Sequence, residues 1–267
     1  MQKLKKIFIM MSVLAATLLF ATPTLASEVY DLLANANENV EAADSILLTT
    51  NAAVTISTTI FGETIAFEVV QNAEIAQVFV TETDFNASVL NNLNLDGYDW
   101  SMNYYIRNGV IYSEYLGHWE IVDYFSLEDI LGQDAVMSLL EFSDEFPMEA
   151  LESATVTRNP DNTTTITFLV PADYAQSFVD ETVDAAIGVA LGIFGTEMPQ
   201  ANVTANTVAV TVLLDANGNF YKVALQTNIN LVYLGMNFNI DLYAATEILQ
   251  LGGVTIDFPA EIDALSR

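Results

Sequence analysis

Cysteine is absent from all 267 residues. The chain therefore forms no disulfide, offers no thiolate nucleophile and builds no thiolate metal site. A lipid anchor attached to a cysteine behind a signal segment is excluded as well. Histidine occurs once, at His118, so a zinc site made of several imidazoles is excluded. A Ser-His-Asp triad would have to use that one residue, and no Gly-x-Ser-x-Gly elbow accompanies it. His118 reads as a neighbour of a hairpin turn. No glycine-rich phosphate loop is present. Positive charge is equally scarce. Seven Lys and Arg stand against 35 Asp and Glu, a formal net charge of −28. Such a surface repels nucleic acid and anionic headgroups and leaves no polybasic patch for a membrane. The carboxylates are many, but no pair stands out with the layout of a glycosidase site. The expectation is a protein that is not an enzyme, with no catalytic residues, no cofactor and no metal site.

What is present begins with an address. Lys3, Lys5 and Lys6 precede an apolar run from Ile7 to Ala21, and Pro23-Thr24-Leu25-Ala26 follows. A positive start, a short apolar stretch and small residues at the cleavage positions are the three parts of a secretory signal peptide. The run is shorter than the roughly 20 residues of a spanning helix. Residues 1–26 are therefore predicted to be a signal peptide cleaved after Ala26, and residues 27–267 a single domain with no transmembrane segment. Loss of three lysines takes the formal charge to about −31 and leaves Arg107, Arg158, Lys222 and Arg267 as the cations. Disorder is excluded despite that charge, because hydrophobic residues make up 52% of the chain and charged ones 16%, the reverse of an unfolded acidic chain.

The hydrophobic spacing predicts a helix over 28–43, with Val29, Leu32, Leu33, Ala36 and Val40 on one face and Ser27 as cap. From Ser45 the period changes to two. Strands are predicted over 53–60, 64–70 and 75–81, with Gly62 in a turn. A meander covers 98–123, turning at Asn108-Gly109, the strongest short hairpin signal, and again at Leu116-Gly117. Ser126-Leu127-Glu128-Asp129 is a capping-box pattern for a helix to about 142. A hairpin is predicted over 152–170 with Asn159-Pro160-Asp161-Asn162 as its turn. Pro171 suits the first turn of a second long helix, 172–194, with Val183, Ile187, Leu191 and Phe194 as its apolar stripe. Strands over 203–214, 220–232, 236–246 and 254–258 complete the chain. The segment Asp215-Ala216-Asn217-Gly218-Asn219 has some of the spacing of a calcium loop, but Phe220 and Gln226 stand where that loop needs Gly and Glu, so a hairpin turn is expected. Long antiparallel strands with few helices indicate an α+β fold.

Several stretches together resemble a known family. They are Tyr105-Ile106-Arg107-Asn108-Gly109-Val110-Ile111-Tyr112 with Trp119 on the next strand, Leu214-Asp215-Ala216-Asn217-Gly218-Asn219-Phe220-Tyr221-Lys222-Val223, and Val254-Thr255-Ile256-Asp257-Phe258-Pro259. In this order, behind an N-terminal helix, they resemble the LolA/LolB and LppX/LprG superfamily of bacterial envelope proteins, in particular a Gram-positive lipoprotein branch of unknown function. Those relatives usually carry a lipobox cysteine, which this chain lacks. The resemblance implies a strongly curved antiparallel sheet, an open half-barrel, with helices packed on its concave face, and a space between sheet and helices that accepts acyl chains. It implies a secreted, extracytoplasmic binding protein that carries or senses an apolar, lipid-like ligand. The alternative is a non-enzymatic envelope protein that keeps the fold without a cavity and engages a protein partner. For the carrier, Ile187, Leu191 and Phe194 are expected to line the cavity from the helix, and Tyr104, Tyr112 and Met236 from the sheet. The mature chain is expected to start at Ser27 and to appear in the culture medium. N-terminal sequencing checks this, and membrane-bound protein that still begins at Met1 overturns it.

Overall fold

A computed structural model describes residues 26–80, 85–122, 151, 153–173, 176, 202–233 and 235–265. Helix α1 (Ala26–Ala42) opens the described chain, and twelve strands follow it. These are β1 (Ser45–Ile60), β2 (Glu63–Phe79), β3 (Phe85–Leu95), β4 (Tyr98–Arg107), β5 (Val110–Tyr115) and β6 (His118–Ile121) in the first half. The second half holds β7 (Thr155–Arg158), β8 (Thr164–Val170), β9 (Asn202–Ala205), β10 (Val208–Leu214), β11 (Phe220–Tyr233) and β12 (Met236–Leu251). A short helix, α2 (Ala260–Leu265), closes the chain. All twelve strands join one antiparallel sheet in the order β6-β5-β4-β3-β2-β1-β12-β11-β10-β8-β7, with β9 beside β10 along β11. Edge strands β6 and β7 do not pair with each other, so the sheet stays open. The predicted single antiparallel sheet is present.

Side chains directly opposite each other in an antiparallel pair point to the same face. The registers therefore sort the whole sheet into two faces. One row runs Ile248-Leu48-Ile75-Val89-Tyr104 from β12 to β4. Its face, called inner here, is the one that the buried face of α1 covers. Val29, Leu33, Ala36 and Val40 of α1 cluster with Ile46, Leu48, Ile75, Ala87, Ile106, Val212, Val223 and Ile248. Burying side chains such as Leu33 and Leu48, both fully enclosed, is worth roughly 1.5–3 kcal/mol each. Gln77, paired with Ile46 and Ala87, is a fully enclosed polar side chain on this face, and its amide meets no hydrogen-bond partner among the described residues. The α1 helix is pinned at both ends by polar contacts: Arg158 to Glu28 at 3.0 Å, and Asn39 to Asn219 at 2.8 Å.

Several sequence expectations are corrected. β2 is one 17-residue strand, not two. The polar stretch Gln71-Asn72 reads as an interruption, but β1 pairs along all of it, from Ser45↔Val78 to Ile60↔Glu63. β3 was not anticipated. Its Asn-rich sequence has low strand propensity, yet Phe85, Ala87, Val89, Leu93 and Leu95 alternate onto the inner face. The predicted strand 203–214 divides at Asn206-Thr207 into β9 and β10, which share β11 as partner. Residues 254–258 are not a strand. Gly252 and Gly253 both take positive φ (76° and 69°), a region glycine enters without a Cβ penalty, and they turn the chain out of the sheet. Gly252 N–H bonds Ser45 C=O at 2.8 Å, and Val254 N–H bonds Ser45 Oγ at 3.0 Å. The tail then reaches the other, outer face of β4–β6. There Phe258 lies 6.4 Å from Tyr105 and beneath Arg107, which also pairs with Asp263 at 2.7 Å. Asn108-Gly109 forms the expected turn, both residues having positive φ. The expected helix 126–142 and nearly all of 172–194 lie outside the described residues, as does their packing on the sheet.

Among the described residues the inner face is most deeply buried beside α1 and more exposed towards Ile56, Phe67 and Ile65. Leu48→Ala should cost about 2–5 kcal/mol. Ile56→Ala, on the same face of the same strand but half-exposed, should cost less than about half as much. Urea denaturation of both variants checks this, and equal losses would erase the distinction.

Candidate functional site: the apolar face of the sheet

Beyond the rows that α1 covers, the inner face continues apolar for three further rows. One runs Leu242-Val54-Val69-Leu95-Tyr98, the next Ile229-Ile240-Ile56-Phe67, and the last Leu231-Phe238-Thr58-Ile65. Apart from Ile229, which is buried, their side chains are half-buried or exposed. Ile65, Trp100 and Met236 expose 55%, 54% and 40% of their surface. Scattered apolar residues on a surface need no explanation, but a contiguous wall over six strands does. Between this wall and the covered core lie small residues, Thr246-Thr50-Ala73 in one row and Ala244-Ala52 in the next. Short side chains between two bulkier bands lower the inner face into a trough where β12, β1 and β2 meet. One end of that trough carries a polar pair, Gln71 donating to Asn91 at 3.1 Å, with Leu93 and Trp100 beside it.

Three of the six residues expected to line a cavity fall on the described sheet. Tyr104 is on the inner face of β4, half-buried, and burial raises its phenol above the ordinary pKa. Met236 is on the same face at the start of β12. The two are not brought together. The row of Tyr104 meets β12 at Ile248, twelve residues from Met236, which is about 40 Å along the strand. Tyr112 is buried on the outer face, opposite Tyr105, whose ring lies 5.6 Å from Trp119. Ile187, Leu191 and Phe194 lie outside the described residues. Missed from the sequence were the residues of the wall itself, above all Ile56, Phe67, Val69, Phe238 and Ile240. Their period-two alternation was visible, but only the registers show that six strands present it on one side.

The other chemical features are structural. Asp215 accepts the backbone N–H groups of Asn217 and Asn219, each at 2.8 Å, and the Asn219 side-chain amide at 3.0 Å. Its carboxylate is spent within the β10–β11 hairpin turn. His118 is exposed at the start of β6. Among the described residues no group of three or more His, Asp or Glu is arranged to hold a metal ion. No described helix is long and apolar enough to cross a membrane. A groove of about 440 Å³ lies on the outer face, where Thr49, Asn51, Asn72, Glu74, Asn92, Lys222 and Glu247 line it together with Leu90, Tyr243 and Ala245.

No protein-family model matches this chain, and no curated protein does. Solved structures similar to it include LprF from Mycobacterium bovis, at 13% identity over 90% of this chain and 100% of that one, with a TM-score of 0.37. A DUF1329 family protein from Desulfovibrio piger is 8% identical over 82% and 92%, with a TM-score of 0.21. A LolA superfamily protein from Nitrosomonas europaea is 9% identical over 85% and 96%, with a TM-score of 0.16. At these scores the likeness is distant.

The Asp215 turn yields a pH prediction. Partial burial raises its carboxyl pKa, but the bonds from Asn219 and Asn217 outweigh that, and the net result lies below the ordinary value. A depressed folded pKa contributes stability above the unfolded pKa and loses it as pH falls through the folded one. Asp215→Ala should therefore lower Tm at neutral pH, and the gap from the parent should shrink below about pH 4. A gap that is constant with pH rules out the ionised carboxylate as its source.

Proposed function

We propose that this chain is an extracytoplasmic, non-catalytic carrier that holds the acyl part of a lipid-like ligand against the inner face of its sheet. The observation that carries the proposal is the apolar wall of Val54, Ile56, Phe67, Val69, Phe238 and Ile240, which continues past the cover of α1 and borders a trough floored by Ala52 and Ala244. Burying an acyl chain yields about 0.8 kcal/mol per methylene. An apolar trough with few polar groups favours such a chain, against the cost of immobilising it. Gln71 and Asn91 share one hydrogen bond and keep an amide oxygen and an amide N–H for a polar head. The scarcity of Lys and Arg suits a ligand whose head is neutral. The N-terminal signal pattern supports export, and the missing cysteine supports release from the membrane.

Ala52→Phe fills the trough without removing any core contact. It should weaken binding of a fluorescent fatty acid at least about tenfold, since the ring displaces several methylenes, while circular dichroism stays that of the parent. A parent protein that takes up no such probe, and brings no lipid into an organic extract of the purified material, overturns the carrier reading. The non-enzymatic envelope interaction protein then takes its place.

A further inference from the structure

We propose that the outer face of the sheet carries a second, separate site, a groove that binds an extended, neutral, β-linked oligosaccharide. The groove, about 440 Å³, crosses β11, β12, β1, β2 and β3 at right angles to the strands. Two neighbouring rows of paired residues form it. The first is Lys222-Glu247-Thr49-Glu74, and the second is Ala245-Asn51-Asn72-Asn92. Its depth has a simple origin. Ala245 stands on β12 between Tyr243 and Glu247, so a methyl group lies between two long side chains on the same face. Solvation alone accounts for a polar outer face but not for that recess.

The hydrogen-bonding capacity points to the ligand class. Asn51 donates to Asn72, which leaves the Asn51 carbonyl and the Asn72 amide N–H groups free. Ser101 donates to the Asn92 carbonyl at 2.6 Å, which leaves the Asn92 N–H groups free. Lys222 gives one N–H to Glu247 at 2.6 Å and keeps two. The lining thus presents alternating donors and acceptors, as hydroxyl groups require, with the Tyr243 ring at one margin for the C–H face of a sugar. Side chains across a sheet recur at strand spacing, about 4.8 Å, close to the length of one pyranose in an extended β-linked chain. Five strands therefore match roughly four sugar units. Two carboxylates against one ammonium disfavour an acidic polysaccharide, and amides beside Leu90, Ala245 and the Tyr243 ring suit a ligand with both hydroxyl groups and C–H faces.

Isothermal titration of the full exported chain with chitotetraose and cellotetraose tests the site. At least one should bind, with an affinity near or below millimolar. Asn72→Leu and Tyr243→Ala should each weaken it at least about fivefold, the loss of one good contact, with unchanged circular dichroism. Fatty-acid uptake in the same samples should not change, so the two sites fail or stand independently. The proposal is overturned if neither tetrasaccharide binds, if both variants bind as the parent does, or if an extended tetrapeptide binds the groove and the sugars do not.

Discussion

The pairing of β1 with β12 is the constraint on which the rest of the structure depends. Strands β1 to β6 form one antiparallel block and β7 to β12 another, and β1–β12 is the seam between them. The seam runs from Ile46↔Leu251 to Thr58↔Phe238, with a single register shift at Leu47/Leu48. Its partners lie about 190 residues apart in sequence, so its loop-closure entropy is large and its formation is expected late in folding. What makes it worth that cost is the two faces of the strands. Once Leu48 meets Ile248, every second residue of both strands lands on the face that α1 covers. A slip by one residue would turn Val54, Ile56, Leu242 and Ile240 to the opposite side.

Continuity of register across the seam propagates that choice from edge to edge. The inner face reads apolar on nearly every strand, whereas the outer face carries Asn51, Asn72, Asn92, Asn228, Asn239 and Asp241, cross-linked by their own amides. This reconciles a composition that is half hydrophobic with a net charge of −28. The C-terminal tail adds apolar cover to the outer face of β4–β6. Phe258 and Ile262 approach β4–β6 there, and Arg107, one of the few cations, ties the tail down through Asp263 and the Phe258 ring. Exposed ion pairs are worth at most about 1 kcal/mol, so the enclosed Ile262 matters more to that docking than the charge does.

The fold was legible where local signals were strong, and the candidate site where they were not was missed. Asn108-Gly109 fixes a hairpin by turn geometry alone, and Val29, Leu33, Ala36 and Val40 mark a buried helical face by spacing alone. β3 was illegible because Asn-Ala-Ser-Val-Leu-Asn-Asn-Leu-Asn has little strand propensity. Pairing with β2 on one side and β4 on the other supplies what propensity does not. Residues 254–258 misled in the opposite way. Their alternation of Val254, Ile256 and Phe258 is real, but it serves a segment that packs on a sheet after Gly252-Gly253 has taken it out of the ladder. For the site, Tyr104 and Tyr112 look equivalent in sequence, each an aromatic in a strand of the same meander. The turn between them pairs Tyr105, not Tyr104, with Tyr112, and so places the two on opposite faces.

The same seam also explains why recesses occur on both sides of one sheet. Ala244 and Ala245 are consecutive on β12, and Ala52 and Ala53 are consecutive on β1. Consecutive residues of a strand point to opposite faces, so each pair of alanines thins the sheet above and below at one place. Ala52 and Ala244 floor the apolar trough, while Ala245 floors the polar groove. A seam poor in bulky side chains draws its stability chiefly from its backbone ladder and from the rows on either side, Leu48 with Ile248 and Val54 with Leu242. The pairing that joins the two halves of the chain can therefore leave its centre lean, and that lean centre is where both proposed sites lie.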